Sequence, residues 1–477
     1  MCGFVGMVAL TEVAPSITLG LSAIQHRGQD AAGIGTTHEG RLHLVKDTGR
    51  VDTVLTGAAI QTLPGTIGIG HVRYPTHGGG LREDAQPFVT RRPGMVLAHN
   101  GNVTNVPQLI EQLRGRGIQL LSSCDSEPIL MLLVDEFSKL GAHSPRTDHL
   151  IQALRVVMED VRGSYTVVAT LELDGQPTLI AFRDPHGIRP GVYGKREDGA
   201  WICASESVAL DVLDAPLVGT VPPGGLVIMR HGEDPEIHEI NPKQRHPCVF
   251  ESIYFARPDS VLDGTRVNRT RGRLGQQLAE EVRRAGLEVD VVVAVPDTSR
   301  PAAVAISEVL GIPHREGFIK NRYSGRTFIM PDQAAREAAM RLKLNPIDEV
   351  FRNRKVLLVD DSIVRGTTMN RIVRMCRRHE PQSIHVAIFS PPVRHPCFYG
   401  IDMPSQDELV ATNWPENTTS AQLARQIGAD SVTFLGIQSL HNVTSAQICD
   451  ACFTGNYVVD VHPSEQAYIQ SDRRRQS

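Results

Sequence analysis

Short apolar runs broken by glycine and proline fill the first half of the chain, at 3–10, 66–70, 94–98, 165–173 and 179–182. Runs of that length, bounded by turn residues, predict strands. The stretches 126–140 and 149–159 predict helices. Several strands with a few helices indicate layered sheets under covering helices. Residues 231–247, HGEDPEIHEINPKQRHP, are polar and contain proline, and they read as a connector. Beyond them the pattern changes. Continuous apolar runs at 289–295, 355–359 and 384–389 alternate with helical stretches that begin near Pro301 and Thr367. Unbroken apolar strands alternating with helices predict a parallel sheet buried on both faces. The expected division is therefore 2–240, 241–460 and a tail at 461–477, in which Arg473, Arg474 and Arg475 are solvated.

Length and composition narrow the picture. A chain of 477 residues allows about three domains, or two large ones. Charged residues make up 21% and hydrophobic residues 41%, an ordinary globular balance that argues against disorder. Lysine plus arginine total 49 against 53 acidic residues, a net charge of -4. That balance argues against a dedicated nucleic-acid or membrane-surface protein, and leaves small anionic substrates open. No apolar run reaches the ~18 residues of a membrane span. The first residues carry no basic leader, so the expected compartment is the reducing cytoplasm. There the eight cysteines read as metal ligands, nucleophiles or core thiols before disulfides.

Cys2 follows the initiator methionine. With that methionine removed, its α-amino group, of pKa near 7.7–8.0, can act as a base beside its own thiol. An isolated Met-Cys means little, but further motifs accompany it. They are HRGQDAAG at 26–33, GHVRYPTHG at 70–78, AHNGN at 98–102 and CDSE at 124–127. Asn100 and the Gly101 N–H can form an oxyanion hole. Arg73 suits a carboxylate bidentately, and Asp125 supplies the anion that an α-ammonium needs. The set, in this order, resembles the class II glutamine amidotransferases of the N-terminal-nucleophile type. The resemblance implies an αββα sandwich in which Cys2 attacks the amide of glutamine and forms a thioester. Asn100 and Gly101 would hold the oxyanion, and Arg73 and Asp125 the substrate's charged ends.

The stretch 356–368, VLLVDDSIVRGTT, is the most specific in the chain. A buried strand delivers Asp360 and Asp361 to its C-terminal end, where open α/β sheets bind ligands. Ser362, Arg365, Gly366, Thr367 and Thr368 follow at a helix start, a natural phosphate cradle. The carboxylates would repel phosphate, so a ribose diol or Mg2+ should face them. The stretch resembles the signature of the phosphoribosyltransferases, which implies a doubly wound parallel-sheet domain that binds phosphoribosyl pyrophosphate. By the same resemblance 296–299 is the pyrophosphate loop, with Thr298 a metal contact beside Asp360 and Asp361. The segment 318–329 is then a mobile loop in which Lys320, Arg322 and Arg326 stabilise departing pyrophosphate.

A cysteine glutaminase followed by such a module resembles the amidophosphoribosyltransferase family, and the junction ESIYFARPDS at 251–260 matches it too. That likeness implies the first committed step of purine synthesis: ammonia from glutamine displaces pyrophosphate to give 5-phosphoribosylamine. Free ammonia would protonate in water, so a water-poor channel is expected, with Tyr254 a candidate for its lining. The resemblance also implies inhibition by purine nucleotides and a homo-oligomer, usually a tetramer. Cys449 and Cys452 form a CxxC, compatible with zinc, a redox pair or an iron–sulfur cluster. Some members of the family carry a [4Fe–4S] cluster on four cysteines, which here would be Cys248, Cys397, Cys449 and Cys452. Two competing readings remain: an amidotransferase serving another acceptor, which would lack 356–368, and a non-catalytic regulator that only binds phosphoribosyl pyrophosphate.

Overall fold

The computed structural model describes residues 2–74, 80–321, 344–403, 405–445 and 447–476. Among these, the first half forms two antiparallel sheets laid face to face. The central strand Cys2–Val8 of the seven-stranded sheet pairs with Ile67–Arg73 on one side and Trp201–Ala204 on the other. In the six-stranded sheet, Gly94–Val103 pairs with Gly163–Leu173. Between the sheets lie Phe4, Ile69, Val96, Val168 and Leu179, all fully buried. The alternate residues Val5, Ile34 and Val72 face the helix Ala14–Ala23. On the far face, Ser126–Lys139 and Thr147–Asp160 cover the second sheet. This is the expected αββα sandwich, and period-two alternation in the strands builds it.

The second half contains a parallel sheet in the order Val291–Ala294, Lys355–Asp360, Ser383–Ile388, Ser431–Phe434. Its strands are apolar on both faces. Val292, Leu357 and Val359 pack with Leu274 and Leu278 of Val267–Arg284 and with Ile306 of Arg300–Leu310. Val293, Val356 and Leu358 pack with Ile372 and Val373 of Thr367–Arg377 and with Leu423. Helices thus cover both faces, as a doubly wound sheet requires.

Two stretches depart from expectation. Within the polar segment 231–247, Glu236–Glu239 is a strand at the edge of the six-stranded sheet. An edge strand needs one hydrogen-bonded neighbour rather than burial, so its Ile237 stays half exposed at 53% and the hydropathy pattern misses it. The expected tail is helical over Pro463–Gln476. Its Glu465 is buried against Arg162 and Gln108, and its Ile469 is fully buried. The buried positions are few and mixed in polarity, so they do not show as an apolar stripe.

Candidate active sites and the cavity between them

Cys2 opens the central strand, directly opposite Arg73. Its Sγ lies 3.7 Å from the carbonyl oxygen of Tyr74. Both side chains are buried, Cys2 at 5% and Arg73 at 3%. Asn100 and Gly101 sit near the end of Gly94–Val103 in the facing sheet. The Asn100 amide is completely buried, and among the described residues neither its oxygen nor its nitrogen has a hydrogen-bond partner. A buried orphan amide costs free energy, so it is retained where a ligand will pair it. Gly101 cannot be replaced: a Cβ there would lie 2.1 Å from the Ser164 carbonyl oxygen. Asp125, just before Ser126–Lys139, accepts from the Val103 N–H at 2.9 Å, which ties it to the same strand. The His99 imidazole lies 3.3 Å from its carboxylate. The sequence-predicted residues Cys2, Arg73, Asn100, Gly101 and Asp125 therefore occupy three strand ends, two in one sheet and one in the other, and one helix start.

Arg27 is a residue that sequence reasoning left without a role. It is fully buried, and its Nε donates to the Cys2 carbonyl at 3.0 Å. Its other nitrogens donate to Glu206 and to Glu251, the latter at 2.7 Å. Arg189 donates to the same Glu251 oxygen at 2.9 Å. Burial alone would lower the Arg27 pKa, but the two carboxylates more than offset it and hold the cation. Burial would raise the Glu206 carboxyl, yet His26 and Arg27 hold it well below the usual range. A depressed carboxyl contributes stability above its unfolded pKa and loses it only as pH falls through the lower folded value. The contribution is thus present throughout neutral and mildly acidic pH. Arg27→Met would remove the buried cation that Glu206 and Glu251 share, leaving them His26 and Arg189, and it is expected to cost about 3–5 kcal/mol, read as a lowered denaturant midpoint. The motif at 26–33 was the available signal. Its partners lie 179 and 224 residues away, so no local pattern could name them.

In the second half, Asp360 ends the strand Lys355–Asp360 and Asp361 follows it. The Asp361 N–H donates to Asp360 Oδ1 at 3.0 Å, and Ser362 Oγ donates to Asp361 at 2.5 Å. Burial, then the neighbouring Asp361 carboxylate, pushes the Asp360 carboxyl well up. Burial pushes Asp361 up as well, against Ser362 and the Arg271 cation. Two crowded carboxylates with raised affinity for a proton are equally ready for a metal cation. Gly366 (φ 75°) turns the chain into Thr367–Arg377, leaving that helix's first N–H groups facing the same space. Thr298 lies across the opening, and Lys320 donates to Asp297 at 2.6 Å. Arg365 is paired with Glu408 at 3.1 Å. Lys320 ends a short strand, Phe318–Lys320, paired with Leu344–Pro346. Arg322 and Arg326 lie outside the described residues.

These groups line a cavity of about 710 Å3. Its other wall belongs to the first half: His26, Gln29 and Tyr74, with Phe250, Tyr254 and Phe255 between. Tyr74 is the residue whose carbonyl touches the Cys2 thiol. The cavity therefore joins the paired carboxylates to Tyr74, whose carbonyl touches Cys2, and Tyr254 lines it.

The remaining cysteines are reduced. Cys248, Cys397, Cys449 and Cys452 converge from three segments and sense one another's charge. Cys248 and Cys449 form a parallel bridge, and the Cys452 carbonyl accepts from the Arg394 and His395 N–H groups. Among the described residues, no three His, Cys, Asp or Glu converge tightly enough to hold one metal ion. Four thiols drawn from three segments are the donor chemistry that an iron–sulfur cluster would use.

A sandwich with a buried N-terminal thiol, joined across a shared cavity to a parallel sheet with a phosphate cradle, defines a glutamine-dependent enzyme that acts on a sugar phosphate. Comparison with known proteins agrees. Residues 75–212 match the glutamine amidotransferase domain and 264–395 the phosphoribosyl transferase domain. The amidophosphoribosyltransferase of Pseudomonas aeruginosa is 43% identical over 98% of this chain and 95% of its own. That of Methanocaldococcus jannaschii is 40% identical over 97% and 98%. The glutamine phosphoribosylpyrophosphate amidotransferase of B. subtilis, solved with ADP and GMP, superposes with a TM-score of 0.85 at 37% identity. The match covers 97% of this chain and 98% of that one. The chain belongs to the amidophosphoribosyltransferases, enzymes of the first step of purine biosynthesis. No described helix is long and apolar enough to cross a membrane.

Proposed function

We propose that the reaction is divided between residues 2–240 and 241–460. Cys2 attacks the side-chain amide of glutamine, its own α-amine serving as base once Met1 is removed. Asn100 and the Gly101 N–H hold the oxyanion, Arg73 the substrate carboxylate and Asp125 its α-ammonium. Ammonia crosses the cavity past Tyr74 and Tyr254. It displaces pyrophosphate from phosphoribosyl pyrophosphate, held by 362–368 at its 5′-phosphate and by Asp360 and Asp361 at its ribose. Lys320, with Arg322 and Arg326, neutralises the leaving pyrophosphate. The orphaned Asn100 amide carries the glutaminase assignment. It is the group a tetrahedral oxyanion would satisfy.

Two cofactors follow from the donor sets. Asp360 and Asp361, with Thr298, would hold Mg2+, which favours few carboxylates together with substrate oxygens. Bound there, the ion would supply charge to the diphosphate. Cys248, Cys397, Cys449 and Cys452 would hold a [4Fe–4S] cluster of structural role. Iron and sulfide analysis of an anaerobic preparation is expected to give four of each per chain. Zinc, or neither metal, would overturn the cluster. Purine nucleotides as inhibitors, a homotetramer and a cytoplasmic setting complete the proposal.

A thiol-alkylating glutamine analogue tests the nucleophile. Mass mapping at pH 8 is expected to find the adduct on Cys2. Burial pushes the Cys124 thiol up to about 12. Its thiolate fraction at pH 8 is then on the order of 10⁻⁴ and it should remain unmodified. An adduct on Cys124 with Cys2 intact would overturn the assignment.

A further inference from the structure

The segment 397–403 belongs to the second half of the chain, yet it is bonded to the strand that carries the oxyanion donors. Asn102 Nδ2 donates to the Phe398 carbonyl at 2.9 Å. Ser164, the cross-strand partner of Asn102, donates to the Tyr399 carbonyl at 2.7 Å. Arg189 Nε donates to that same carbonyl at 2.7 Å. Asn102, Ser164 and Arg189 are all fully buried. Gly400 has φ 94°, and a Cβ on it would lie 2.9 Å from the Gly101 carbonyl oxygen. The backbone of 397–403 thus lies directly on the residue assigned as oxyanion donor.

The far side of the contact reaches the nucleophile. Arg189 passes to Glu251, Glu251 to Arg27, and Arg27 to the carbonyl of Cys2. The segment itself is held at Tyr399. The Tyr399 N–H donates to Cys397 Sγ at 3.3 Å, and the Tyr399 hydroxyl donates to the Val459 carbonyl at 2.5 Å. Past Gly400, Ile401, Asp402 and Met403 line the cavity, and Tyr74 donates to Asp402 at 2.9 Å.

We propose that 397–403 is a strap by which the second domain sets the oxyanion hole of the first, with Asn102 and Ser164 as its positioning residues. The inference rests on the assignment of Asn100 and Gly101 as oxyanion donors. Asn102 and Ser164 touch no reacting atom. They fix the backbone of Gly101 between its own sheet and the strap. Preorganisation of a donor affects the transition state more than the bound substrate, whose charged ends Arg73 and Asp125 hold from other elements. Loosening the strap should therefore lower the glutaminase kcat and leave the glutamine KM in place. Displacements near 1 Å cost up to about 10²-fold, so a fall of roughly 10–100-fold is expected.

The test compares Asn102→Ala, Ser164→Ala and Asn100→Ala in the full-length enzyme. Glutamine hydrolysis and ammonium-supported pyrophosphate release are measured side by side. Asn102→Ala and Ser164→Ala are expected to lose glutaminase kcat at unchanged glutamine KM, with ammonium-supported turnover within about two-fold of wild type. If both activities fall together, or KM alone rises, these residues are merely structural and the strap is overturned. If Asn100→Ala loses glutaminase while the other two keep wild-type kcat, the strap alone fails. If Asn100→Ala keeps full glutaminase activity, the oxyanion assignment beneath it fails instead.

Discussion

Cys2→Ala is expected to lose glutamine-dependent phosphoribosylamine formation by on the order of 10⁴-fold or more, the scale of removing a covalent nucleophile. With ammonium salt as the nitrogen source, the same variant should turn over within a few-fold of wild type. The separation follows from geometry. Cys2 lies on a strand of the antiparallel sandwich, whereas Asp360 and the helix start at Thr367 lie on the parallel sheet. Ammonia supplied as a salt needs no thiol to release it, so the second site does not depend on Cys2 for its nitrogen. The substitution removes one sulfur from a site held by backbone pairing, so folding should be unaffected. Steady-state assays with each nitrogen source check the prediction. Loss of both activities would mean that Cys2 serves the fold rather than the chemistry.

The second large effect lies at the paired carboxylates. Asp360→Asn together with Asp361→Asn should lower pyrophosphate release with either nitrogen source by roughly 10²–10³-fold, the worth of removing charge at a metal and diol site. The same change should raise the melting temperature of the metal-free protein by a few degrees. Both carboxyls have folded pKa values above the unfolded one, through burial and then, for Asp360, the neighbouring Asp361 charge. Such groups cost stability once pH exceeds the unfolded value, and the cost is complete above the folded value. Neutral amides remove it. Function lost with stability gained is the signature of charges kept for a ligand. A double variant that is less stable, with activity intact, would identify the pair as structural.

Much of this was legible in the sequence because the chemistry is local there. The run 356–368 places strand, carboxylates, glycine and helix start in thirteen consecutive residues, and the structure arranges them in that order. Cys2, Arg73 and Asn100 stand in short motifs at strand ends, and Asp125 in one at a helix start. What stayed hidden depends on distance along the chain. Glu206 and Glu251 acquire meaning through the distant Arg27, and Asn102 through Phe398, 296 residues away. The strand Glu236–Glu239 and the helix Pro463–Gln476 were missed because both are anchored at an edge by a few contacts rather than by a periodic apolar face. Polarity alone cannot separate such elements from connectors.

The central claim is that ammonia released at Cys2 reaches the phosphoribosyl site inside the protein. Turnover of amide-15N glutamine in a large excess of unlabelled ammonium, with the product amine analysed by mass spectrometry, tests it most directly. Retention of 15N in nearly all phosphoribosylamine formed at saturating glutamine is the predicted result. Dilution of the label to the isotopic ratio of the bulk would contradict it, because the nitrogen would then have passed through solvent.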